Sequence, residues 1–272
     1  MLVRLRTLQP SISLSTARSQ QHHLTMDHDI TTQHPLPPHV SLRDQAQRLI
    51  YRMIGPVVRL LVRIGVTPDM ITTTGLVLNI GVAAILITGA EIGARGELTY
   101  VGWAGALILF AGLFDMLDGQ VARIGGKASR AGALYDSVLD RYSELVMFLG
   151  ICYYLVAHHY FLSSLLAFVA LIGSMMVSYV RARAEGLGIE CKGGLMQRPE
   201  RVVLTGAAAI LCGVFGGLIG GSYQLRVPGI PFVLFESISI FTVPIAVMAV
   251  LNNITAAQRL RDARKALDRQ QP

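Results

Sequence analysis

Charge is what this chain has little of. Only 15 % of its 272 residues are Asp, Glu, Lys or Arg, against about 25 % in a soluble domain, so lipid is the expected solvent for much of the chain. Cysteine is scarce as well. Cys152, Cys191 and Cys212 have neither metal-ligand nor redox spacing, and an odd count argues against a disulfide framework. Residues 1–40 hold no long apolar run and therefore no secretory h-region. The basic residues behind the net charge of +7 are not interleaved with exposed aromatics or gathered on one soluble helix, which excludes a nucleic-acid surface.

What is present in quantity is apolar chain, 52 % of the residues, and it falls in blocks. Six stretches lie at about 70–90, 99–122, 133–157, 160–184, 200–221 and 231–255, each near the roughly 20 residues that span hydrocarbon. Ahead of them, residues 41–66 place Leu49, Ile50, Met53, Ile54, Val57 and Val58 mostly on one side and Arg43, Arg48, Arg52, Arg59 and Arg63 elsewhere. That is the pattern of a basic amphipathic helix lying in a membrane surface, with Pro56 marking a kink. Thr67-Pro68-Asp69 reads as a helix start: a Thr cap, Pro in the first turn and an acid at the positive dipole end. Residues 1–40 carry Arg4, Arg6 and Arg18 before the first acid, Asp27, a composition that mimics a transit peptide. We read them as a disordered tail, or as sequence ahead of a start at Met26, with solvated histidines. The predicted fold is all-α, a polytopic membrane bundle of six transmembrane helices over 67–257, preceded by the amphipathic juxtamembrane helix and followed by a basic tail at 258–272.

Six spans put both termini on one side. Of the 24 Lys and Arg residues, 22 fall in the tails, the amphipathic segment and the loops near 123–141 and 181–201, leaving Arg95 and Arg226 for the opposite face. By the positive-inside rule the termini and both basic loops are cytoplasmic, at the cell (inner) membrane. Tyr100, Trp103, Tyr153, Tyr154 and Tyr160 mark the other interface, and His158 and His159 lie there with them, away from the acids.

Ionisable groups at membrane depth are costly and point to function. Asp115 and Asp118 share one helix face, as do Asp136 and Asp140, and the short segment between them, with Gly125 and Gly126, suits an antiparallel helix pair whose Asp faces meet. Four carboxylates repel unless cations or protons compensate them. All-oxygen ligation favours hard ions such as Mg²⁺, Mn²⁺ or Ca²⁺, and two such ions can hold a transferring phosphoryl group. Gly119 permits close approach, and Arg123 suits a phosphate. The competing structural reading, helix–helix salt bridging to Arg141 or Arg123, supplies too few arginines for four acids.

Residues 115–140 read D-M-L-D-G-Q-V-A-R-I-G-G-K-A-S-R-A-G-A-L-Y-D-S-V-L-D. This resembles the D-x2-D-G-x2-A-R-x8-G-x3-D-x3-D signature of the CDP-alcohol phosphotransferase family, with every fixed position filled, and the resemblance extends over roughly residues 50–255. It implies that Asp115, Asp118 and Asp136 ligate two Mg²⁺ or Mn²⁺ ions. It implies too that Asp140 is the general base, sharing in the metal site, and that Gly119, Ala122, Arg123 and Gly132 shape the pocket for CDP-diacylglycerol alongside Asp115 and Asp118. A homodimer is implied in the same way. The family's usual T-P-N entry to the first span is T-P-D here, so Asp69 reads equally as a nucleotide contact or as plain capping.

Arg181, Arg183, Lys192, Arg198 and Arg201 gather by sequence at the cytoplasmic mouth, with Arg198 and Arg201 at a helix start that also favours phosphate. Either they serve only the positive-inside rule, or Arg181, Arg183, Arg198 and Arg201 bind the phosphate of an anionic acceptor. S-Y-V-R-A-R-A-E followed by R-P-E-R resembles the family members that accept inositol 1-phosphate. Glycerol 3-phosphate is the alternative acceptor. A cation transporter using the acids as its ion path, from a different class, would place them near mid-span with inverted repeats. All four acids instead sit toward the cytoplasmic ends.

Overall fold

The computed structural model describes residues 54–191, 194, 196–225 and 235–270. Readings made on residues 1–53, on Lys192 and on Arg226 lie outside them. Within the described residues the chain is all-helical apart from one small hairpin. Residues 54–63 form α1. Then follow α2 (Pro68–Ile92), α3 (Thr99–Ile124), α4 (Arg130–Ala157), α5 (Phe161–Glu185), α6 (Arg198–Ile219) and α7 (Ser239–Asp268). Strands β1 (Gln224–Leu225) and β2 (Phe235–Glu236) pair antiparallel between α6 and α7.

Five of these helices, α2, α3, α5, α6 and α7, are long and apolar enough to cross a membrane. Their outer faces carry bare Trp103, Phe161, Leu162, Leu218 and Val250, which water would penalise and lipid does not. The chain is a multi-pass membrane protein. The helix α4 is as long but fails on composition, because its first half carries Asp136, Asp140, Arg141 and Glu144. The last helix begins at Ser239, not near 231, because β2 occupies Phe235–Glu236. It then continues without a break to Asp268, so the expected basic tail prolongs the final span as helix.

Local chemistry starts the helices that frame the acids. Thr67 Oγ1 accepts the Met70 N–H at 3.3 Å, with Pro68 at the first position and Asp69 in the first turn of α2, a cap worth about 1 kcal/mol. Ser129 Oγ accepts the Gly132 N–H at 2.9 Å to open α4. Between α3 and α4 the turn passes through Gly126 at φ +63°, a left-handed position that favours glycine.

The packing order is α4–α2–α3–α6, with α5 against α7. Lipid tails give helices little hydrophobic reason to associate, so close approach of small residues matters more. A Cβ on Gly105 of α3 would lie 2.7 Å from the Gly206 carbonyl of α6, and one on Gly150 of α4 would lie 2.6 Å from Ala83 Cα of α2. The core formed around Phe148, Ile151, Tyr154, Phe241, Ile245 and Met248 fills the half of the bundle away from the aspartates. At the aspartate end, Val58 of α1 is buried with Ile71, Leu117 and Val121 of α2 and α3. Val57 and Leu60 of α1, and Ile64 just after it, point outward. The apolar residues of this helix therefore serve two surfaces, the bundle and the outside.

His158, which caps the C-terminus of α4, lies eighteen positions beyond Asp140, about 27 Å at 1.5 Å per residue. His158 Nε2 is 3.3 Å from the Gly89 carbonyl. Nearby, Tyr160 donates to Glu236 Oε1 at 2.7 Å and Arg95 stacks 4.8 Å from the Tyr160 ring centroid, tying the hairpin to the helix ends.

Candidate active site

The antiparallel α3–α4 pair brings the two aspartate turns face to face. Asp115, Asp118 and Asp136 each offer a carboxylate oxygen, all within 4.8 Å of one another. Asp118 is buried. Its Oδ2 accepts the Thr72 hydroxyl at 2.9 Å, and its Oδ1 accepts the Gly119 N–H. Asp136 Oδ1 is shielded from solvent and has no hydrogen-bond partner among the described residues. An orphan carboxylate oxygen beside two others is a poor structural arrangement and a good ligand set for a hard cation. The residues present therefore fit a divalent metal.

Asp140 stands apart from that trio. Arg198 Nη1, reaching in from α6, lies 2.8 Å from Asp140 Oδ2 and also bonds Asp115 Oδ1. Arg141 Nη1 is 3.8 Å from the same Asp140 oxygen. The fourth aspartate is thus held by arginine, while Asp118 and Asp136 face the opening.

That opening is a cavity of about 400 Å³. Thr67, Asp69 and Thr72 of the α2 start form one wall, and Gly119, Ala122 and Arg123 of α3 form another. Lys127, Ser129 and Gly132 complete it. A Cβ on Gly119 would meet only Arg123 Nη2, at 3.8 Å, so no protein atom explains that glycine. The space it leaves faces the cavity. Arg123 Nε donates to the Gly119 carbonyl at 3.1 Å, which fixes the guanidinium along the wall.

The predicted acceptor arginines separate into three settings. Arg198 is at the acids. Arg201 is only 2 % exposed and donates to Glu144 from Nε and Nη2 at 2.9 and 3.2 Å. Arg181 and Arg183 are exposed at the end of α5, with Arg181 paired to Glu185 at 2.8 Å. Two residues escaped the sequence reading. Glu144 carried a usable signal, being a fifth acid one turn beyond Asp140 in an apolar span. Arg259 was counted only with the basic tail. It is buried against α5, donating to the Val177 carbonyl at 2.9 Å, and lines a second cavity of about 240 Å³.

A multi-pass helical bundle with a carboxylate-only cation site, opening on a cavity that carries Arg123 and the start of α2, defines a divalent-metal membrane enzyme that handles phosphate. The chain belongs to the CDP-alcohol phosphatidyltransferase family, whose pattern it matches over residues 65–243. It is 35 % identical over 167 residues to the phosphatidylinositol phosphate synthase of Mycobacteroides abscessus, covering 61 % of this chain and 71 % of the relative. It is also 35 % identical over 170 residues to the archaetidylinositol phosphate synthase of Methanothermobacter thermautotrophicus, covering 62 % and 78 %. Among solved structures, Mycobacterium tuberculosis phosphatidylinositol phosphate synthase with manganese and citrate superposes with a TM-score of 0.60 at 28 % identity, over 76 % of this chain and 87 % of that one. The same synthase with CDP-DAG bound gives 0.59 at 29 %, over 78 % and 94 %. Family membership sets the transporter reading aside.

Proposed function

We propose that this chain is a phosphatidylinositol phosphate synthase, transferring the phosphatidyl group of CDP-diacylglycerol to inositol 1-phosphate and releasing CMP. The observation that carries the reading is the convergence of Asp115, Asp118 and Asp136, with Asp118 and Asp136 lining the 400 Å³ cavity and Asp140 held nearby by Arg198. The relatives named for inositol phosphate products support the acceptor.

Two Mg²⁺ or Mn²⁺ ions held by Asp115, Asp118 and Asp136, with Asp140 adjoining, would neutralise the diphosphate oxygens and the CMP leaving group. The chain's own residues do the rest. Arg123 binds diphosphate oxygens from the α3 wall. Asp69 accepts from the exocyclic amine of cytosine, the contact a carboxylate makes with that base. Asp140 takes the proton of the acceptor hydroxyl, whose oxygen forms the new bond to the β-phosphorus as the bond to the bridging oxygen of CMP breaks. Arg198, with Arg181 and Arg183 at the rim, draws the acceptor's phosphate to that place. Measuring CMP release with a panel of acceptors tests this. Inositol 1-phosphate is expected to support turnover, with free inositol and glycerol 3-phosphate poor. Free inositol working as well as its phosphate overturns the acceptor assignment.

We propose further that α4 is the sixth span, its acidic half lying at the interface, and that the termini and site face the cytoplasm at the cell membrane. The 22-to-2 division of basic residues supports this. In a chain cleared of native cysteines, a cysteine at Arg95 should react with impermeant maleimide from outside and one at Lys127 only from the cytoplasm. The reverse pattern inverts the topology. The proposed homodimer rests on the family resemblance. The Gly213-x3-Gly217 motif is half used within the protomer, where a Cβ on Gly213 would lie 2.5 Å from Gly102 Cα.

A further inference from the structure

Three arginines stand around Asp140 and Glu144. Arg198 and Arg201 come from the first turn of α6, and Arg141 directly follows Asp140 on α4. They differ in what each already holds. Arg198 Nη1 lies 2.8 Å from Asp140 Oδ2 and also bonds Asp115. Arg201 gives Nε and Nη2 to Glu144 at 2.9 and 3.2 Å. Arg141 Nη1, by contrast, is shielded from solvent and makes no hydrogen bond among the described residues. Its ion pair with Asp140 Oδ2 is 3.8 Å long, beyond hydrogen-bonding reach. Arg198 already occupies that oxygen, so neutralising Asp140 does not account for Arg141. Buried polar groups are nearly always satisfied by protein, water or a ligand, and this nitrogen has no protein partner.

Its surroundings say what kind of ligand suits it. Consecutive helix residues point about 100° apart, so Arg141 leaves the face on which Asp136 and Asp140 meet the acids of α3. The charges acting on it are Asp140, Glu144, Arg198 and Arg201, which sets it on the side of α4 toward the α6 arginines. The side chain as a whole is 32 % exposed, so solutes can reach it. A guanidinium is a planar fork of donors that fits phosphate oxygens. The diphosphate of CDP-diacylglycerol is met elsewhere, in the cavity that Gly119, Ala122 and Arg123 line and Arg141 does not. The anion left for Arg141 is the one the acceptor carries.

We propose that Arg141 is a contact for the acceptor's phosphate: it donates to a phosphate oxygen and holds the polyol next to Asp140, so that the hydroxyl to be deprotonated meets the base. The inference rests on the phosphorylated-polyol reading above and adds to it a residue adjoining the base itself.

Steady-state kinetics of the full-length enzyme with Mg²⁺ test it. Arg141→Gln should raise the KM for inositol 1-phosphate about tenfold or more, the scale of losing a charge-assisted hydrogen bond. The KM for CDP-diacylglycerol should stay within about threefold of wild type, which also shows that the variant folds. Arg141→Lys keeps the charge but not the fork and should fall between the two. Arg130→Gln removes the same charge from the exposed start of the same helix and should leave both KM values unchanged. An acceptor KM within threefold of wild type in Arg141→Gln overturns the contact, whatever happens to kcat. An equal rise in Arg130→Gln overturns it as well, because bulk attraction would then suffice. Calorimetric titration of inositol 1-phosphate and of inorganic phosphate into the Mg²⁺-loaded enzyme gives a readout independent of turnover. Both dissociation constants should weaken about tenfold in Arg141→Gln. If the wild type turns over no inositol 1-phosphate yet the variant loses phosphate binding, the acceptor's identity has failed and the contact stands. If the variant binds both anions as the wild type does while the wild type turns over inositol 1-phosphate, the contact has failed and the acceptor stands.

Discussion

Asp118→Asn is expected to abolish CMP release, a loss of at least about 10²- to 10³-fold, the scale of removing one preorganised group that stabilises developing charge. The structure singles out this residue among the four acids. Its carboxylate is the most buried, and it is oriented from two sides, by the Thr72 hydroxyl and by the backbone N–H of Gly119. Asparagine matches its shape and keeps one oxygen. It removes the negative charge and presents an amide where a second ligand oxygen stood, so what is lost is cation affinity more than packing. The variant should therefore fold and insert normally while Mn²⁺ binding, followed by calorimetry or electron paramagnetic resonance, weakens in parallel with activity. Asp115→Asn and Asp136→Asn should behave alike, since their oxygens complete the same cluster within 4.8 Å. Chelation with EDTA should silence the wild-type enzyme, and Mg²⁺ or Mn²⁺ should restore it. Full activity after exhaustive chelation sinks the metal assignment, however the variants behave.

The aspartate site was legible because membrane depth makes charge expensive. Asp115, Asp118, Asp136 and Asp140 stood out against apolar chain, and their three- and four-residue spacing already placed each pair on one helix face. Only the division of labour was hidden. Nothing in the spacing says that Arg198, distant in sequence, would cross from α6 to bond both Asp140 and Asp115 and leave an oxygen of Asp136 without a partner among the described residues. The basic loop was legible as charge and not as arrangement. Arg198 and Arg201 are three residues apart and look equivalent, yet one borders the site and the other is buried on Glu144. A burial difference of that kind is set by neighbouring helices, which a single segment cannot report. The span boundaries show the same limit. Apolar composition located α2, α3, α5 and α6 well. It could not separate the β2 residues Phe235–Glu236 from the last span, because a two-residue strand has no periodicity to read. Nor could it stop α7 at the membrane surface, since the exposed Arg261, Arg264 and Lys265 are good helix formers that continue the helix beyond it.

Asp140→Asn should separate base from ligand. Its geometry differs from that of the other acids. Arg198 and Arg141 lie against one of its oxygens, at 2.8 and 3.8 Å, and it does not belong to the three-acid cluster that fits a cation. Asp115 shares Arg198, so what sets Asp140 apart is its place outside that cluster, where it contributes little to metal affinity. If it removes the acceptor's proton, asparagine in its place cannot take that proton, and kcat should fall by at least about 10²-fold, the lower end for loss of a general base. The KM for CDP-diacylglycerol and the Mn²⁺ affinity should stay near wild type, because Asp115, Asp118 and Asp136 and the 400 Å³ cavity are left whole. A further signature follows from the chemistry. A residual rate that rises steeply with pH would show hydroxide doing the base's work, whereas the wild-type rate should depend on pH less strongly over the same range. Two results count against the assignment. Loss of Mn²⁺ binding together with activity would make Asp140 a fourth ligand, and an unchanged kcat would return the proton to water or to the acceptor's own phosphate.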